Sequence, residues 1–542
     1  MTRLPPFLLA GCTLGLTACA TDALRTAPER PNTPWQPNVA ANGEIVPGTA
    51  KPHSLALPPG YALPSNRALP ARLPAPDIQS GHAYSLPELI DIAQSSNPST
   101  RRAWNTARDA ALATGMARST YLPQLTATVV GGYNHTRNDG GNPSIGNGGA
   151  LGQLANNGAN DIETLTGGVQ NRRSGSGEVQ TLGLQWLLFD FGKREATIDA
   201  AQQAQIATNV LFTAAHQKVI YTVTLAFYTH AAATARVALL EQARRNAGAV
   251  QTAAEARLHQ GQGTIVDVTQ ARQATAQDDL RLVQAQGGVE NTTLDLMTAM
   301  GIAPNTPLQT QDVANRPLRL DDARLTDAMI QRDVARRPDV LAAYASARAA
   351  TSRVAAARSE FLPKIFVTGN VAYTTGRLAL SSVPGIGSDS SPTLNLSTNA
   401  FSSLILGGIT VPVFDGGLRA ALLKQAQNQS DSAQTTLRQT MDESVRQIVA
   451  AENGLRSALS AYAAAGRLRI AAQTSFDAAL TAYRSGEGAI TQVDMAQNAL
   501  LDATLTQSDA YHAALIAAAS LAFATGAADS APPPDPSPPD TP

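Results

Sequence analysis

Thiol and imidazole groups are the side chains in this sequence whose placement says most about chemistry. The 542 residues include two cysteines, Cys12 and Cys19, both close to the N-terminus. The seven histidines stand at 53, 82, 135, 216, 230, 259 and 512 and show no metal-ligand spacing such as His-x3-His. The Gly- and Asn-rich stretch 138–177 lacks the Gly-Lys-Ser/Thr of a phosphate-cradling loop, and alternating runs flank it on both sides. It reads as a surface loop. No nucleophile–base or ligand set emerges, so the expectation is a protein that is not an enzyme and carries no cofactor. A net charge of -1 gives no reason to expect a nucleic-acid partner. Charged residues make up 15%, against roughly 25% in soluble domains.

The cysteines sit in a segment with its own logic. Arg3 and the terminal amine form a positive start, and Leu4 to Leu16 is a mostly apolar run of secretory-signal length. That run is too short to span a bilayer. Leu16-Thr17-Ala18-Cys19 resembles the lipobox of bacterial lipoproteins. Leu9-Ala10-Gly11-Cys12 fits the four-residue pattern better, but it leaves only Leu4 to Leu9, broken by Pro5 and Pro6, as the apolar core. Cleavage is therefore expected to remove 1–18 and leave a covalent lipid on Cys19; an ordinary signal peptide with incidental cysteines is the alternative. In such lipoproteins Asp after the lipidated cysteine marks inner-membrane retention, and Ala20 here points to the outer membrane. The rest of the chain has no thiol, which excludes disulfides and Cys-ligated metals. No later stretch reads as apolar enough for a transmembrane helix, which leaves a β-barrel as the way to cross a membrane.

The chain repeats itself. NPSTRRAWNTARDAALATGMARSTYLPQL (97–125) aligns with RPDVLAAYASARAATSRVAAARSEFLPKI (337–365) at an offset of 240, with ten identities in 26 positions from Pro98 to Pro123. Further on the offset is 225: Phe189-Asp190 matches Phe414-Asp415, Gly261 and Gly263 match Gly486 and Gly488, and Gly301 matches Gly526. Two copies of one module follow, 85–310 and 311–526. A Pro-rich extended arm, 19–84, precedes them, and the tail 527–542 is expected to be disordered.

Each module reads in the same order. A helix over 85–119 ends at Leu122-Pro123. Leu125, Ala127, Val129, Gly131 and Tyr133 then alternate with mostly polar residues as a strand with one apolar face. A second strand over about 179–190 carries Leu182, Leu184, Trp186 and Leu188. In the second module Ile365 to Tyr373 and Ile405 to Val413 alternate likewise, with Pro412 weakening the end. A helix from Lys193 to about Gln260 follows, with Ile220, Val223 and Phe227 at helical spacing, then Gly261-Gln262-Gly263, then a return helix with Leu280, Val283, Leu294 and Met297 at near-heptad spacing. The long helix spans roughly 100 Å at 1.5 Å per residue. The return helix and the helix before the first strand together match it. One-sided apolar hairpins suit an outer-membrane barrel. Four strands cannot close, and open edges in lipid cost several kcal/mol per unpaired backbone group. Oligomerisation is then required, and twelve strands from a trimer leave a lumen where eight from a dimer would be filled by side chains.

This duplicated order resembles the TolC-like outer-membrane efflux family, in particular its lipid-anchored NodT/OprM-like branch. The resemblance rests on Leu86-Pro87-Glu88-Leu89…Asn97-Pro98, Tyr121-Leu122-Pro123, Phe189-Asp190-Phe191-Gly192 with Phe414-Asp415-Gly416-Gly417, and the turns RLHQGQGTIVDV and YRSGEGAITQVDMAQ. It covers about 85–526. It implies a mainly helical fold with a membrane β-barrel: a homotrimer with four strands per chain, forming a 12-stranded barrel continued by a periplasmic α-helical tunnel. It implies an exit duct for small molecules such as drugs, served by a periplasmic adaptor and an inner-membrane pump, with the RND type expected. The same resemblance makes Arg257, Leu258, Gly261, Gly263, Tyr483, Arg484, Gly486 and Gly488 candidate adaptor contacts; the alternative is that the glycines only cap helices. It also makes Asp494, Glu487 and Asp267 candidate periplasmic gate residues, since acidic rings narrow a pore and favour cations. Asp494 stands one residue before the acid of many relatives, with Met495 in that place, so a solvated helix-face acid is the other reading. Tyr133, Trp186 and Tyr373 are candidate membrane-interface aromatics, with core or lumen packing as the alternative. Type I protein secretion is a second function within the family. A non-channel coiled-coil surface lipoprotein is the reading from another class, and the paired one-sided strands argue against it.

Overall fold

The computed structural model describes residues 81–136, 173–304, 306–313, 325–376 and 400–527, with short pieces between 38 and 79 and residue 318. Cys12, Cys19, the loop 138–172 and the tail from 528 lie outside the described residues. The chain divides into two compact units. The smaller, 1–83 with 301–309, holds a two-residue antiparallel pairing of Asn38–Val39 with Ile45–Val46.

The larger unit, 84–300 with 310–542, contains both modules' helices and strands. In the first module these are α1 Leu86–Ser96, α2 Pro98–Ser119, β1 Gln124–Thr136, β2 Arg173–Phe189, α3 Lys193–His259 and α4 Ile265–Met300. The second repeats them as α5 Asp327–Arg336, α6 Pro338–Ser359, β3 Lys364–Gly376, β4 Ala400–Thr410, α7 Leu418–Ser485 and α8 Ile490–Ala524.

Where one helix was expected over 85–119 there are two. Asn97 is extended (φ -69, ψ 124) and its side-chain oxygen accepts from the Ser99 amide at 2.9 Å. The cause is Pro98, which has no N–H to donate and keeps the preceding residue out of helical conformation. Pro338 breaks the second module at the same place, with Arg337 at φ -64, ψ 133.

The four strands form one antiparallel sheet in the order β1-β2-β3-β4. Leu125 pairs with Leu184, and Ile365 with Ile409. Adding 240 to the first number and 225 to the second converts one pair into the other, so the duplication read from the sequence is also a duplication of register. Because side chains alternate, one face carries Leu125, Val129, Leu182, Trp186, Val371 and Ile405, all exposed. The other face carries Thr126, Thr128, Thr181, Gln185, Thr368 and Asn370. β2 begins earlier than the expected 179, and β4 ends at Thr410 rather than Val413. Pro412 cannot donate to a ladder.

Strands and long helices meet at a charged joint. Asp190 and Arg194 pair at 3.3 Å with side chains only 5% and 8% exposed. The guanidinium also donates to the carbonyls of Thr120 (3.1 Å), Leu187 and Leu188 (2.8 Å) and stacks on the Tyr121 ring at 4.5 Å. One side chain thus ties the end of α2, the end of β2 and the start of α3. In the second module Arg419 and Asp415 pair at 2.6 Å, with side chains 18% and 25% exposed.

The long helices pack as the lengths demand: α3 has 67 residues and lies along α2 and α4, and α7 has 68 and lies along α6 and α8. Val223, Ile220 and Phe227 are buried as expected. The return helix corrects the expectation. Leu280, Val283 and Leu294 are exposed, and the buried seam is Leu282, Leu296, Met297 and Met300. α4 has more than one apolar stripe, and spacing alone does not say which one meets α3. α3 also contains a window with a mean hydropathy of 1.2, contrary to the expectation that no later stretch reaches membrane-helix apolarity. Its alanine content raises the index, while a helix of this length far exceeds the roughly 30 Å of hydrocarbon in a bilayer.

Arg194→Met is expected to cost about 3–5 kcal/mol, because it leaves a buried carboxylate and several carbonyls without their donor. Arg419→Met is expected to cost about 1 kcal/mol. Urea midpoints followed by tryptophan fluorescence compare the two, and equal losses would contradict the assigned difference.

Candidate functional site

The candidate site lies at the end of the helices away from the sheet, where two turns stand side by side. In the first, the amides of Gln262 and Gly263 donate to the carbonyl of Arg257 at 2.9 and 3.1 Å. In the second, Glu487 and Gly488 donate to Ala482, both at 2.9 Å. Gly261 (φ 73) and Gly486 (φ 87) take the left-handed conformation that glycine adopts without penalty. Gly263 and Gly488 are required for a different reason. A Cβ at Gly263 would lie 3.1 Å from the Leu258 nitrogen, and one at Gly488 3.0 Å from the Tyr483 nitrogen. Helix-turn geometry thus accounts for all four glycines.

The side chains break the symmetry of the turns. Arg257 donates to the main-chain carbonyl of Tyr483 in the second turn and to that of Gln262 in its own. Its guanidinium also lies over the Tyr483 ring, 4.7 Å from the centroid, a cation–π arrangement that strengthens as the pair is desolvated. Arg257 therefore staples one turn to the other; its counterpart at offset 225 is Ala482. Tyr483 is 3% exposed and belongs to a core with Val250, Phe476, Ile490 and Val493. Burial pushes its phenol pKa up, with Arg257 opposing and Asp267 adding to the rise. The structure thus places Tyr483 inside the tip, whereas Arg484 is exposed and Leu258 half-buried.

The three acids occupy different settings. Asp267 accepts from the Thr264 amide at 2.9 Å while Thr264 Oγ1 accepts from the Asp267 amide at 3.2 Å, a reciprocal cap at the start of α4. Glu487 is exposed at the turn itself. Asp494 is half-buried, with Gln270 Nε2 of α4 at 3.5 Å. Sequence reasoning missed a fourth acid. Asp278 is 4% exposed, its ion pair with Arg281 is 3.2 Å long, and Arg281 reaches Asn498 of α8 at 3.3 Å. Burial pushes the Asp278 pKa up, Arg281 opposes this, and the charges of Asp494 and Asp279 add to the rise. The Asp278-Asp279 pair gives no sign in sequence of which acid faces inward. Ile265, Val266 and Met495 were also missed as surface, at 62%, 67% and 74% exposed. Adjacent apolar residues just past a helix start were the available signal, since they point about 100° apart and one must face outward.

At the sheet, Tyr133, Trp186 and Tyr373 all lie on the exposed apolar face, 69%, 39% and 45% exposed. Trp186 sits at the helix end of the strands, its indole donating to the Tyr121 carbonyl at 2.9 Å. The two tyrosines lie near the opposite end.

Comparison with known proteins matches residues 89–302 and 329–527 to the family described as outer membrane efflux protein. Protein CyaE of Bordetella pertussis is 26% identical over 427 residues, covering 77% of this chain and 79% of that protein. The outer membrane protein OprJ of Pseudomonas aeruginosa is 28% identical over 275 residues, 49% of this chain and 53% of that protein. The Campylobacter jejuni CmeC outer membrane channel shares the fold with a TM-score of 0.65 at 19% identity, covering 82% of this chain and 86% of that one. The matched stretches contain nearly all of both helix–hairpin–helix modules, and the chain belongs to the outer membrane efflux protein family.

Proposed function

We propose that this outer-membrane efflux protein is a passive exit duct for small molecules. Three copies close their sheets into a 12-stranded barrel, and their helices continue the lumen into the periplasm. The observation that carries this reading is the four-stranded sheet, with one face rich in exposed apolar side chains, a second face that mixes threonines and amides with Phe366, Leu404 and Leu406, and two edges with no partner strand among the described residues. Such a sheet is stable in lipid only when its edges are paired, and twelve strands leave a lumen where eight would be filled. The apolar face then meets lipid, with Trp186 and the tyrosines at the two interfaces.

At the tip, Arg257, Leu258, Arg484 and the two Gly turns would meet a periplasmic adaptor, which passes substrate from an inner-membrane pump of RND type. Tyr483 holds this surface from beneath. Glu487 and Asp494 carry the acidic character of the narrow end, while Asp267 contributes mainly as a helix cap. Cys19 carries lipid as an auxiliary anchor. Nothing in the arrangement supplies energy, so transport is driven by the partners.

Purified protein in planar bilayers should conduct weakly, and Arg257→Ala should raise conductance several-fold by releasing the staple between the turns. A variant that folds yet stays silent would overturn the duct. Asp494→Asn with Glu487→Gln should lower the preference for cations over anions, read as a shift in reversal potential in a salt gradient. Deleting the protein should increase sensitivity to small toxic compounds; an unchanged profile with loss of a secreted polypeptide would favour protein secretion. Cys19→Ala, with a cleavable signal kept, should still yield trimers in the outer membrane, and loss of all trimer would make the lipid essential for assembly.

A further inference from the structure

We infer that a cavity between α3, α7 and α8 binds a small hydroxylated aromatic carboxylate. Arg469 holds its acid group, Tyr462 and Tyr511 meet its ring, and the imidazoles of His230 and His512 accept from its hydroxyl. One chain supplies the whole site, so the inference stands apart from the proposed duct.

The cavity has a volume of about 910 Å³, within the range of small-molecule sites. α3 belongs to the first module and α7 and α8 to the second, so an occupant touches both. Residues 310–313, from the connection between the modules, line it as well. Its apolar wall comes from α3, through Leu239 and a row of alanines.

The acid end is set by a guanidinium with nothing to bind. Arg469 lines the cavity, is half-buried, and has no hydrogen-bond or ion-pair partner among the described residues. Asp312 lines the same cavity and is exposed, yet no ion pair joins the two. A guanidinium drawn partly out of water still carries five N–H donors, and a carboxylate accepts from them in pairs.

The ring position follows from the aromatic cluster. The Tyr462 and Tyr511 rings lie 5.5 Å apart, inclined by 54°, and Tyr511 meets His512 edge-on at 5.4 Å. Arg469 stands two turns beyond Tyr462, about 10 Å along α7. Long side chains on a helix lean back towards its N-terminus, which directs the guanidinium towards the tyrosines. A ring beside them then carries its carboxylate to Arg469.

The histidines present lone pairs. His512 is 7% exposed, and its Nδ1 lies 2.8 Å from the Ser508 carbonyl, so Nδ1 carries the proton. His230 Nδ1 lies 3.3 and 3.4 Å from the hydroxyls of Thr292 and Thr293. Both hydroxyls donate to the Val289 carbonyl, so they accept from the ring. Burial holds the His230 pKa below the usual imidazole value, which favours the neutral ring. Each Nε2 is therefore an acceptor when its ring is neutral, and neither has a partner among the described residues. A hydroxyl at the far side of the ring from the carboxylate supplies the matching donor.

Equilibrium dialysis of the full chain in lipid nanodiscs at neutral pH tests the site, with radiolabelled 4-hydroxybenzoate as probe and empty nanodiscs as blank. Saturable binding of one probe per chain is expected. Arg469→Gln should weaken it at least about tenfold and Arg469→Lys less. Arg467→Gln changes an exposed α7 arginine outside the cavity and should leave binding unchanged. Asp312→Asn should strengthen binding by removing a like charge. On the unaltered protein, benzoate should bind several-fold more weakly for want of the hydroxyl, and phenol at least about tenfold more weakly for want of the carboxylate. No saturable binding to the folded protein at millimolar probe overturns the site. So do equal losses in Arg469→Gln and Arg467→Gln. Phenol or the cationic analogue tyramine binding as tightly as 4-hydroxybenzoate overturns the carboxylate assignment, whether or not the variants fold.

Discussion

A sheet in hydrocarbon can have no free edge, and the proposed trimeric barrel follows from that constraint. Water would satisfy the outer amides and carbonyls of β1 and β4 in a soluble protein; lipid offers nothing in exchange. In the proposed barrel the edges would be paired with strands of other copies. β1 is a copy of β3 and β4 of β2, and the β1–β2 register recurs in β3–β4. For the proposed twelve strands, a chain with one module would need six copies. In the proposed trimer, two modules per chain would halve the number of seams that form by association.

In the proposed duct, the joint between sheet and helices would have to be rigid for the lumen to be continuous across it. Arg194 achieves this by donating to carbonyls where α2 and β2 end and by pairing with Asp190 at the start of α3. Its burial makes the arrangement strict, since a buried ion pair tolerates little displacement before a charge is left uncompensated. The equivalent Arg419 is more open and pairs with Asp415 across a shorter distance. Duplication therefore preserved the backbone plan while each module's side chains diverged. Arg257 with its repeat counterpart Ala482, and Lys193 with its counterpart Leu418, show the same divergence at the tip and at the start of the long helices.

Much of the plan was legible in the sequence because it rests on residues with strong backbone consequences. Glycines at 261, 263, 486 and 488 fixed both turns, and period-2 alternation fixed all four strands. The break at Pro98 was equally legible in principle, since a proline at that position ends one helix and begins another, yet the alanine-rich continuation masked it. The exposed stripe Leu280, Val283 and Leu294 failed for another reason: periodicity finds an apolar face but does not identify what it packs against. Arg194 was overlooked although it recurs as Arg419 at the offset already recognised for its neighbours. Asp278 was not legible, because the burial of one acid of an adjacent pair is decided by α8, more than 200 residues away.

The distribution of charge separates the two ends of the molecule. The face of the sheet with Gln185 and Asn370 mixes threonines and amides with Lys364, Phe366, Leu404 and Leu406. The tip gathers Asp267, Asp278, Glu487 and Asp494 within one helical end, with Arg257 and Arg281 already engaged in holding helices together. The low exposure of Asp278 matters most here. Burial raises its pKa, and Asp494 and Asp279 reinforce the rise, so this carboxyl takes up a proton before an exposed acid does. A group whose folded pKa is raised favours the folded tip at low pH and loses that contribution as pH climbs through the raised value. Protonation of Asp278 removes a buried charge and also the ion pair that holds Arg281, which reaches Asn498 of α8. The groups that set this charge balance are the same side chains that the helices need for packing.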